Sequence, residues 1–274
     1  MTLTTRNCYL LVGIGLSLAA LVLVIVFASL ALPLFPGLVE EAAGRSSRYG
    51  VFPRWPVNPY VPFAAMLAAV AYAAVAQTLI YQFFEKTQSP EIFFFALFVF
   101  SFTFECGRMA LPLQRLYTLP HVFAVTAERL ELFGRFFGIF ALFASSIYAT
   151  GFKAQKQGTV LFAITLIALL FAIRIPIDPL AWDTGLRLNS GYRSMFRIIE
   201  LVTALLAVAS YLASARMRGD KEFILAGAGA LLAFFGRALL LDADTIYTPI
   251  PALLHLLAGT WLVCKQLRRI YQWM

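Results

Sequence analysis

Ionisable side chains recur inside the long apolar stretches of this 274-residue chain, where they could bind a charged ligand or pair with one another. Placing an ionised side chain in hydrocarbon costs roughly 3 kcal/mol or more of free energy. Such a side chain is therefore expected only where it is paired with an opposite charge, hydrated or required for function. Glu128 and Asp242 lie at the edges of the same stretches. The candidate ligand-binding residues are Glu105, Glu131, Glu200, Arg108, Arg135, Arg174, Arg197, Arg237 and His255.

The spacing of these residues predicts pairs on single helical faces. Side chains three or four positions apart on a helix are neighbours and can form a salt bridge. Three pairs have this spacing: Glu105 with Arg108, Glu131 with Arg135, and Arg197 with Glu200. A purely structural role is one interpretation, because such pairs can neutralise themselves, lock helices together or reach the head groups.

The functional interpretation depends on an excess of arginine. Arg174 and Arg237 have no acidic partner at helical spacing within their own apolar stretches. Arginine binds carboxylate and phosphate groups bidentately, so the expected ligand carries an anionic group. We therefore expect a net-positive pocket that binds an anionic small molecule or a lipid head group.

Catalysis and metal binding have weaker support. A glutamate of the set could act as a general base with His255 beside it, but no recognised catalytic motif accompanies these residues. The three cysteines, Cys8, Cys106 and Cys264, form no cluster with the two histidines. We expect no catalytic residue, no metal and no cofactor. The sequence therefore favours a protein that is not an enzyme.

The composition predicts an integral membrane protein. Hydrophobic residues make up 61% of the chain, charged residues 13%, and the mean hydropathy is +0.81. A spanning helix needs about 20 mostly apolar residues. Eight segments qualify: 9–32, 61–82, 91–112, 128–150, 158–177, 195–215, 222–241 and 250–267. The predicted fold is an all-α, polytopic helix bundle that forms one membrane domain over residues 1–274.

The longest predicted connection, residues 33–60, is rich in proline and should form a largely non-helical cap over the outer face. Its arginines, Arg45, Arg48 and Arg54, could extend the basic field at the mouth of the pocket. The first apolar segment is about twice as long as the core of a signal peptide and ends without a small-residue cleavage pattern. We therefore expect a retained span.

Lysine and arginine in the short loops predict both termini on the cytoplasmic side of an inner (plasma) membrane. The net charge of +8 then reflects this bias and attraction to anionic lipid, and nucleic acid is not an expected partner. With this topology and a rise of ~1.5 Å per residue, the polar residues of the spans fall at one depth near the outer side. This alignment predicts a shared polar chamber.

The second half of the chain resembles the first. Both halves contain an acidic residue, an apolar run, a Gly-Arg step, a tyrosine and a proline in the same order. This order predicts two parallel four-helix repeats, residues 1–156 and 157–274, with Arg108 and Arg237 as equivalent positions.

These observations favour a sensor or capture subunit that binds its ligand at the outer face and passes the signal to a separate signalling or transport partner protein. A secondary transporter is the first alternative, although its site would normally lie near the midplane. A membrane enzyme that acts on a lipid or lipid-linked substrate at the outer interface is the second alternative.

Overall fold

The computed structural model describes residues 2–44 and 57–272, and within these ranges eight helices are long and apolar enough to cross a membrane. They are Leu3–Ala42, Val61–Phe84, Pro90–Tyr117, His121–Ala149, Ala154–Arg174, Arg193–Arg218, Glu222–Leu241 and Pro249–Tyr271. The helical architecture and the number of candidate spans therefore match the prediction. The arginines at positions 45, 48 and 54 lie outside the described residues.

The chain divides into ten α-helices and two strands among the described residues. The helices are α1 (Leu3–Ala31), α2 (Phe35–Gly44), α3 (Val61–Phe84), α4 (Pro90–Phe100), α5 (Ala110–Tyr117), α6 (His121–Ala149), α7 (Gln157–Arg174), α8 (Arg193–Arg218), α9 (Glu222–Leu241) and α10 (Pro249–Gln272). The strands are β1 (Ile177–Trp182) and β2 (Leu188–Ser190), and 3₁₀ turns cover Leu32–Leu34, Ser101–Met109 and Ala154–Lys156.

The prediction of a non-helical cap is wrong for the beginning of the 33–60 segment. A 3₁₀ turn over Leu32–Leu34 leads directly into α2, which ends at Gly44. Pro33 and Pro36 are compatible with this path because proline is tolerated in the first turn of a helix, where its missing N–H would have no partner.

The third span is not a uniform α-helix. Between α4 and α5, nine residues from Ser101 to Met109 form a 3₁₀ helix, which is long for this conformation. Three residues per turn place Phe102, Glu105 and Arg108 along one edge, and all three are buried. The 3₁₀ winding therefore directs the acid and the arginine toward the interior together.

Glycines let this segment approach α6 closely. A Cβ atom at Gly134 would lie 2.5 Å from Cβ of Phe104, and one at Gly138 would collide with Ser101. The small-residue step in α6 thus serves helix packing, as its spacing indicates. The helices α9 and α10 also meet through glycines, since a Cβ at Gly236 would lie 2.6 Å from the main-chain nitrogen of Leu256. A glycine-packed helix pair in each half is compatible with a duplication, which stays a prediction.

An antiparallel hairpin interrupts the otherwise helical fold between α7 and α8. Strand β1 pairs with β2 from Ile177 opposite Ser190 to Trp182 opposite Leu188. The indole N–H of Trp182 donates to the Leu38 carbonyl oxygen at 3.0 Å, which ties the hairpin to α2. The all-α prediction therefore misses this small sheet, and the hairpin positions a large part of the site.

The interior and the exterior of the bundle are both apolar. Phe94, Phe98 and Phe136 are almost completely buried in the centre, whereas Val22 and Phe162 on outward faces are 59% and 69% exposed. Exposed apolar faces of this kind are what a lipid-facing helix presents.

Candidate functional site

A polar cleft opens at one end of the bundle, where α6, α8, the hairpin and the connection between α9 and α10 meet. The cavity volume of this cleft is about 70 Å³. At about 15 Å³ per water, this corresponds to roughly five water molecules. Its ionisable lining residues are Glu128, Arg135, Asp183, Arg187, Arg193, Arg197, Glu200, Asp242 and Asp244.

Arg187 lies at the centre of the charged groups. Its Nη2 is 3.1 Å from Oε2 of Glu105, its Nη1 is 3.1 Å from Oδ1 of Asp242, and its Nε contacts Oε1 of Glu131. The three acids come from the 3₁₀ segment, from α6 and from the residue after α9. One buried guanidinium from the hairpin therefore joins three separate parts of the bundle.

Two further arginines complete this cluster. Arg108 Nη2 lies 2.6 Å from Oε2 of Glu105, and Arg135 Nε lies 3.5 Å from Oε1 of Glu131. Both intrahelical ion pairs predicted for these residues are thereby confirmed. Arg135 Nη2 also lies 3.6 Å from Oδ1 of Asp242. We call Glu105, Glu131, Asp242, Arg108, Arg135 and Arg187 the charged core, in which formal charges balance.

Arg237 and Arg108 each bind a main-chain carbonyl group as well as an acidic side chain. Arg237 donates from Nη2 to the carbonyl oxygen of Arg135 at 2.6 Å, and its Nη1 lies 4.0 Å from Oε1 of Glu200. Arg108 donates to the carbonyl oxygen of Leu241 at 2.7 Å, at the end of α9. Each arginine therefore satisfies a carbonyl group of another span, which holds the spans in register.

Asp183 organises the hairpin turn. Its Oδ1 accepts hydrogen bonds from the main-chain N–H groups of Gly185 and Arg187 at 2.9 and 3.0 Å, and its Oδ2 accepts one from Arg193 at 2.8 Å. These bonds hold Leu186 in the left-handed region, with φ of 60°. Burial raises the pKa of the Asp183 carboxyl above its ordinary value, and the nearby positive charge of Arg193 opposes this rise.

Two acids of the cleft, Glu128 and Asp244, have no arginine partner within 4.0 Å among the described residues, although Arg135 and Arg193 act on Glu128 electrostatically from a greater distance. Glu128 accepts a hydrogen bond from the main-chain N–H of Leu188 at 3.0 Å. Asp244 accepts one from the Thr184 hydroxyl at 3.2 Å through Oδ2, and its buried Oδ1 has no hydrogen-bond partner there. Burial raises the pKa of the Asp244 carboxyl. Both carboxyl groups therefore retain capacity for a further donor.

The expected excess of positive charge is wrong. Four arginines and five acids line the cleft, and the deeper arginines are already neutralised by the charged core. The sequence-based count left out Glu128, Asp183, Asp242 and Asp244, which lie at span ends or in connections. The cleft therefore presents both signs of charge.

Two predicted members of the site lie elsewhere. Arg174 is exposed at the end of α7 and does not line the cleft. His255 bonds through Nδ1 to the Pro251 carbonyl oxygen of its own helix at 2.7 Å and also lies outside the cleft. The remaining predicted residues are Glu105, Glu131, Glu200, Arg108, Arg135, Arg197 and Arg237, and the bundle brings them together.

The sequence analysis does not include Arg187 and Arg193 among the candidate residues of the site. A usable signal is present, since Asp183-Thr184-Gly185 is a turn sequence between alternating residues and favours a hairpin. Even so, only the folded chain shows that this hairpin reaches the charged core.

The described residues include no group of three or more histidine, cysteine, aspartate or glutamate side chains arranged to hold a metal ion. The charged side chains that line the cleft can form ion pairs and hydrogen bonds, and its carboxyl groups can transfer protons.

Comparison with known proteins finds a similarity over part of the chain. No protein-family model matches the chain. Over 135 residues, or 49% of its length, the chain is 31% identical to an uncharacterized protein of Treponema pallidum (strain Nichols). The matched part is 38% of that protein, so the chain spans well under half the length of this relative.

Proposed function

We propose that the protein is a multi-pass membrane protein whose cleft opens to the outer face and binds a small zwitterionic ligand, as a capture or sensing subunit. The observation that carries this proposal is the lining of a single cleft by an accessible guanidinium, that of Arg197, and by carboxyl groups without an arginine partner, those of Glu128 and Asp244.

The anionic end of the ligand binds at Arg197. The side chain of Arg197 is 56% exposed although it lies 3.4 Å from Asp242, whereas the side chain of Arg187 is only 6% exposed. A carboxylate or phosphate can therefore reach the guanidinium of Arg197 from the open side of the cleft, whereas that of Arg187 is enclosed. This placement retains the expected anionic group and limits it to the rim of the cleft.

The cationic end binds at Glu128 and Asp244. An ammonium group has three donors and no acceptor, which suits carboxyl oxygens that lack an arginine. The cleft volume of about 70 Å³ suits the ammonium end of an amino acid or of the ethanolamine phosphate of a lipid head group, whose anionic end then lies at the open rim.

The distribution of charge supports an outer location of the cleft. The opposite end of the bundle carries basic residues in its connections and at the end of α10: Lys86, Lys153, Lys156, Arg218, Lys221, Lys265, Arg268 and Arg269. Lysine and arginine concentrate on the cytoplasmic side of inner-membrane proteins. The cleft then faces the outside.

The packing below the charged core favours capture or sensing over transport. The guanidinium carbon of Arg237 lies 6.0 Å from the centre of the Phe98 ring. Phe94, Phe95, Phe98 and Phe102 are buried to at least 99% and fill the middle of the bundle. A charged ligand would have to displace this aromatic layer to cross the membrane.

A membrane enzyme at the outer interface is a second candidate, and Glu128 is the residue that favours it. A carboxyl group without an arginine partner can accept or donate a proton if a substrate is held beside it. Conversion of a lipid-linked substrate by the purified protein, and its loss in Glu128→Gln, would support this candidate over capture.

Titration of the purified full-length protein with three probes tests the proposed function. The probes are phosphoethanolamine, which carries both charges, ethanolamine and inorganic phosphate. We expect phosphoethanolamine to bind more tightly than either fragment. Nanodiscs with and without phosphatidylethanolamine then separate a lipid head group from a free ligand, because a head group would compete with the soluble probe. Equal or absent binding of all three probes contradicts the proposal.

Matched variants localise the binding. Arg197→Gln and Glu128→Gln should each weaken phosphoethanolamine binding by roughly tenfold or more, as expected for hydrogen bonds to charged groups. Arg174→Gln and Glu40→Gln remove the same charges from exposed positions outside the cleft and should leave binding unchanged.

A further inference from the structure

The geometry points to a second site, an intramembrane groove between α3 and α10 that holds an acyl chain of an anionic phospholipid, with the head group at Lys265 and Arg268. This inference shares with the proposed function only the placement of the protein in a membrane and does not involve the cleft.

The groove is large and apolar. Its cavity volume is about 540 Å³. On α3 its lining runs from Ala68 to Phe83, a length of ~22 Å at 1.5 Å per residue. One leaflet of hydrocarbon is ~15 Å deep, so the groove is long enough for an acyl chain along the bundle.

The polar groups in the floor of the groove need no hydrogen bond from the bound molecule. The hydroxyl groups of Tyr72 and Thr260 lie 2.5 Å apart and satisfy each other. Ala71 leaves space on α3, while Val75 and Trp261 form walls that are 57% and 60% exposed. The groove is therefore open sideways to the bilayer.

Two cations stand at the end of the groove that lies away from the polar cleft. Nζ of Lys265 is 4.3 Å from the ring centre of Trp261, and the guanidinium carbon of Arg268 is 5.5 Å from that of Phe83. Both ring residues line the groove. Neither cation forms an ion pair within residues 2–44 and 57–272, whereas the adjacent Arg269 lies 3.3 Å from Glu222.

This combination selects one occupant. An apolar channel of leaflet depth that ends at two uncompensated cations complements a lipid with an apolar chain and an anionic head group. A transmembrane helix of a second copy would fill the groove without neutralising the cations. Dimerisation through this face is therefore an outcome that the test must separate from lipid binding.

Native mass spectrometry of the full-length protein tests the groove without any variant. Protein purified in detergent is supplied with equal amounts of phosphatidylglycerol and phosphatidylcholine that carry the same chains. We expect retained phosphatidylglycerol in preference to phosphatidylcholine by about 30-fold, since each cation near an anionic surface contributes about fivefold. Equal retention of the two lipids, or a dimer without bound lipid, overturns the inference.

Variants and quenching then localise the lipid. Lys265→Gln combined with Arg268→Gln should abolish the preference, whereas Lys153→Gln combined with Lys156→Gln, exposed lysines outside the groove, should preserve it. Brominated phosphatidylglycerol should quench the tryptophan fluorescence of the protein more than brominated phosphatidylcholine does. Trp261→Phe should remove that difference. Unchanged preference in the first variant, or unchanged quenching in Trp261→Phe, contradicts the site.

Discussion

Nη2 of Arg187 lies 3.1 Å from Oε2 of Glu105, although 82 positions separate the two residues in the chain. The contact brings the hairpin between α7 and α8 against the 3₁₀ segment of the third span. It also supplies the charge that a buried carboxylate requires. The charged core is therefore assembled from a connection as well as from the spans.

Arg187→Met should destabilise the fold strongly. The substitution leaves Glu105, Glu131 and Asp242 with one guanidinium fewer, and removal of one partner from a buried ion pair costs about 3–5 kcal/mol. Arg187→Lys should recover little, since one ammonium group cannot reproduce the geometry of a guanidinium that contacts three acids.

Heat-induced loss of folded protein in detergent measures this effect. Arg174→Met removes an arginine that is exposed at the end of α7 and serves as the control. If the two variants unfold at the same temperature, the charged core does not hold the bundle together.

The close approach of α6 to the third span should depend on Gly134. Gly134→Ala places a methyl group 2.5 Å from Cβ of Phe104, which cannot move without its backbone. We expect a loss of about 1–3 kcal/mol in the free energy of unfolding. Gly15→Ala has open space within 4 Å and should be neutral or stabilising. Equal stability of both variants would show that these helices are less tightly packed.

The local part of the site was predictable, and the part made by tertiary structure was not. Glu105 with Arg108 and Glu131 with Arg135 were paired correctly because helical spacing alone brings them together. Arg174 was assigned wrongly because the rise per residue gives its depth but not the direction of its side chain. The uniformly apolar sequence of α7 offers no signal about which face is buried.

Asp244→Asn should change the pH dependence of stability. Burial raises the pKa of this carboxyl, so the folded chain binds more protons than the unfolded chain. Its contribution to stability is present below the ordinary aspartate pKa of about 4 and is lost as the pH rises through the raised pKa. At neutral pH the variant should therefore be more stable than the unmodified protein.

Unfolding measured between pH 4 and pH 8 should show the two proteins diverging as the pH rises. Asp178→Asn, at an exposed position of the hairpin, is the matched control and should follow the unmodified protein. Parallel curves for the unmodified protein and Asp244→Asn would rule out a buried, protonation-sensitive carboxyl at this position.

The orientation of the bundle can be tested with single cysteines. In a protein without Cys8, Cys106 and Cys264, a cysteine from Asp178→Cys should react with a membrane-impermeant maleimide in intact cells. A cysteine from Lys156→Cys should react only after the membrane is opened, because it lies at the basic end of the bundle. The reverse pattern would place the cleft in the cytoplasm.

The most direct test of the proposed cleft is the affinity of Glu128→Gln for phosphoethanolamine and inorganic phosphate, compared with that of the unmodified protein. If Glu128 binds the ammonium group, the variant should lose roughly tenfold or more in affinity for phosphoethanolamine and should bind phosphate as before. An unchanged affinity for phosphoethanolamine, or an equal loss for both probes, would contradict a zwitterion-binding cleft.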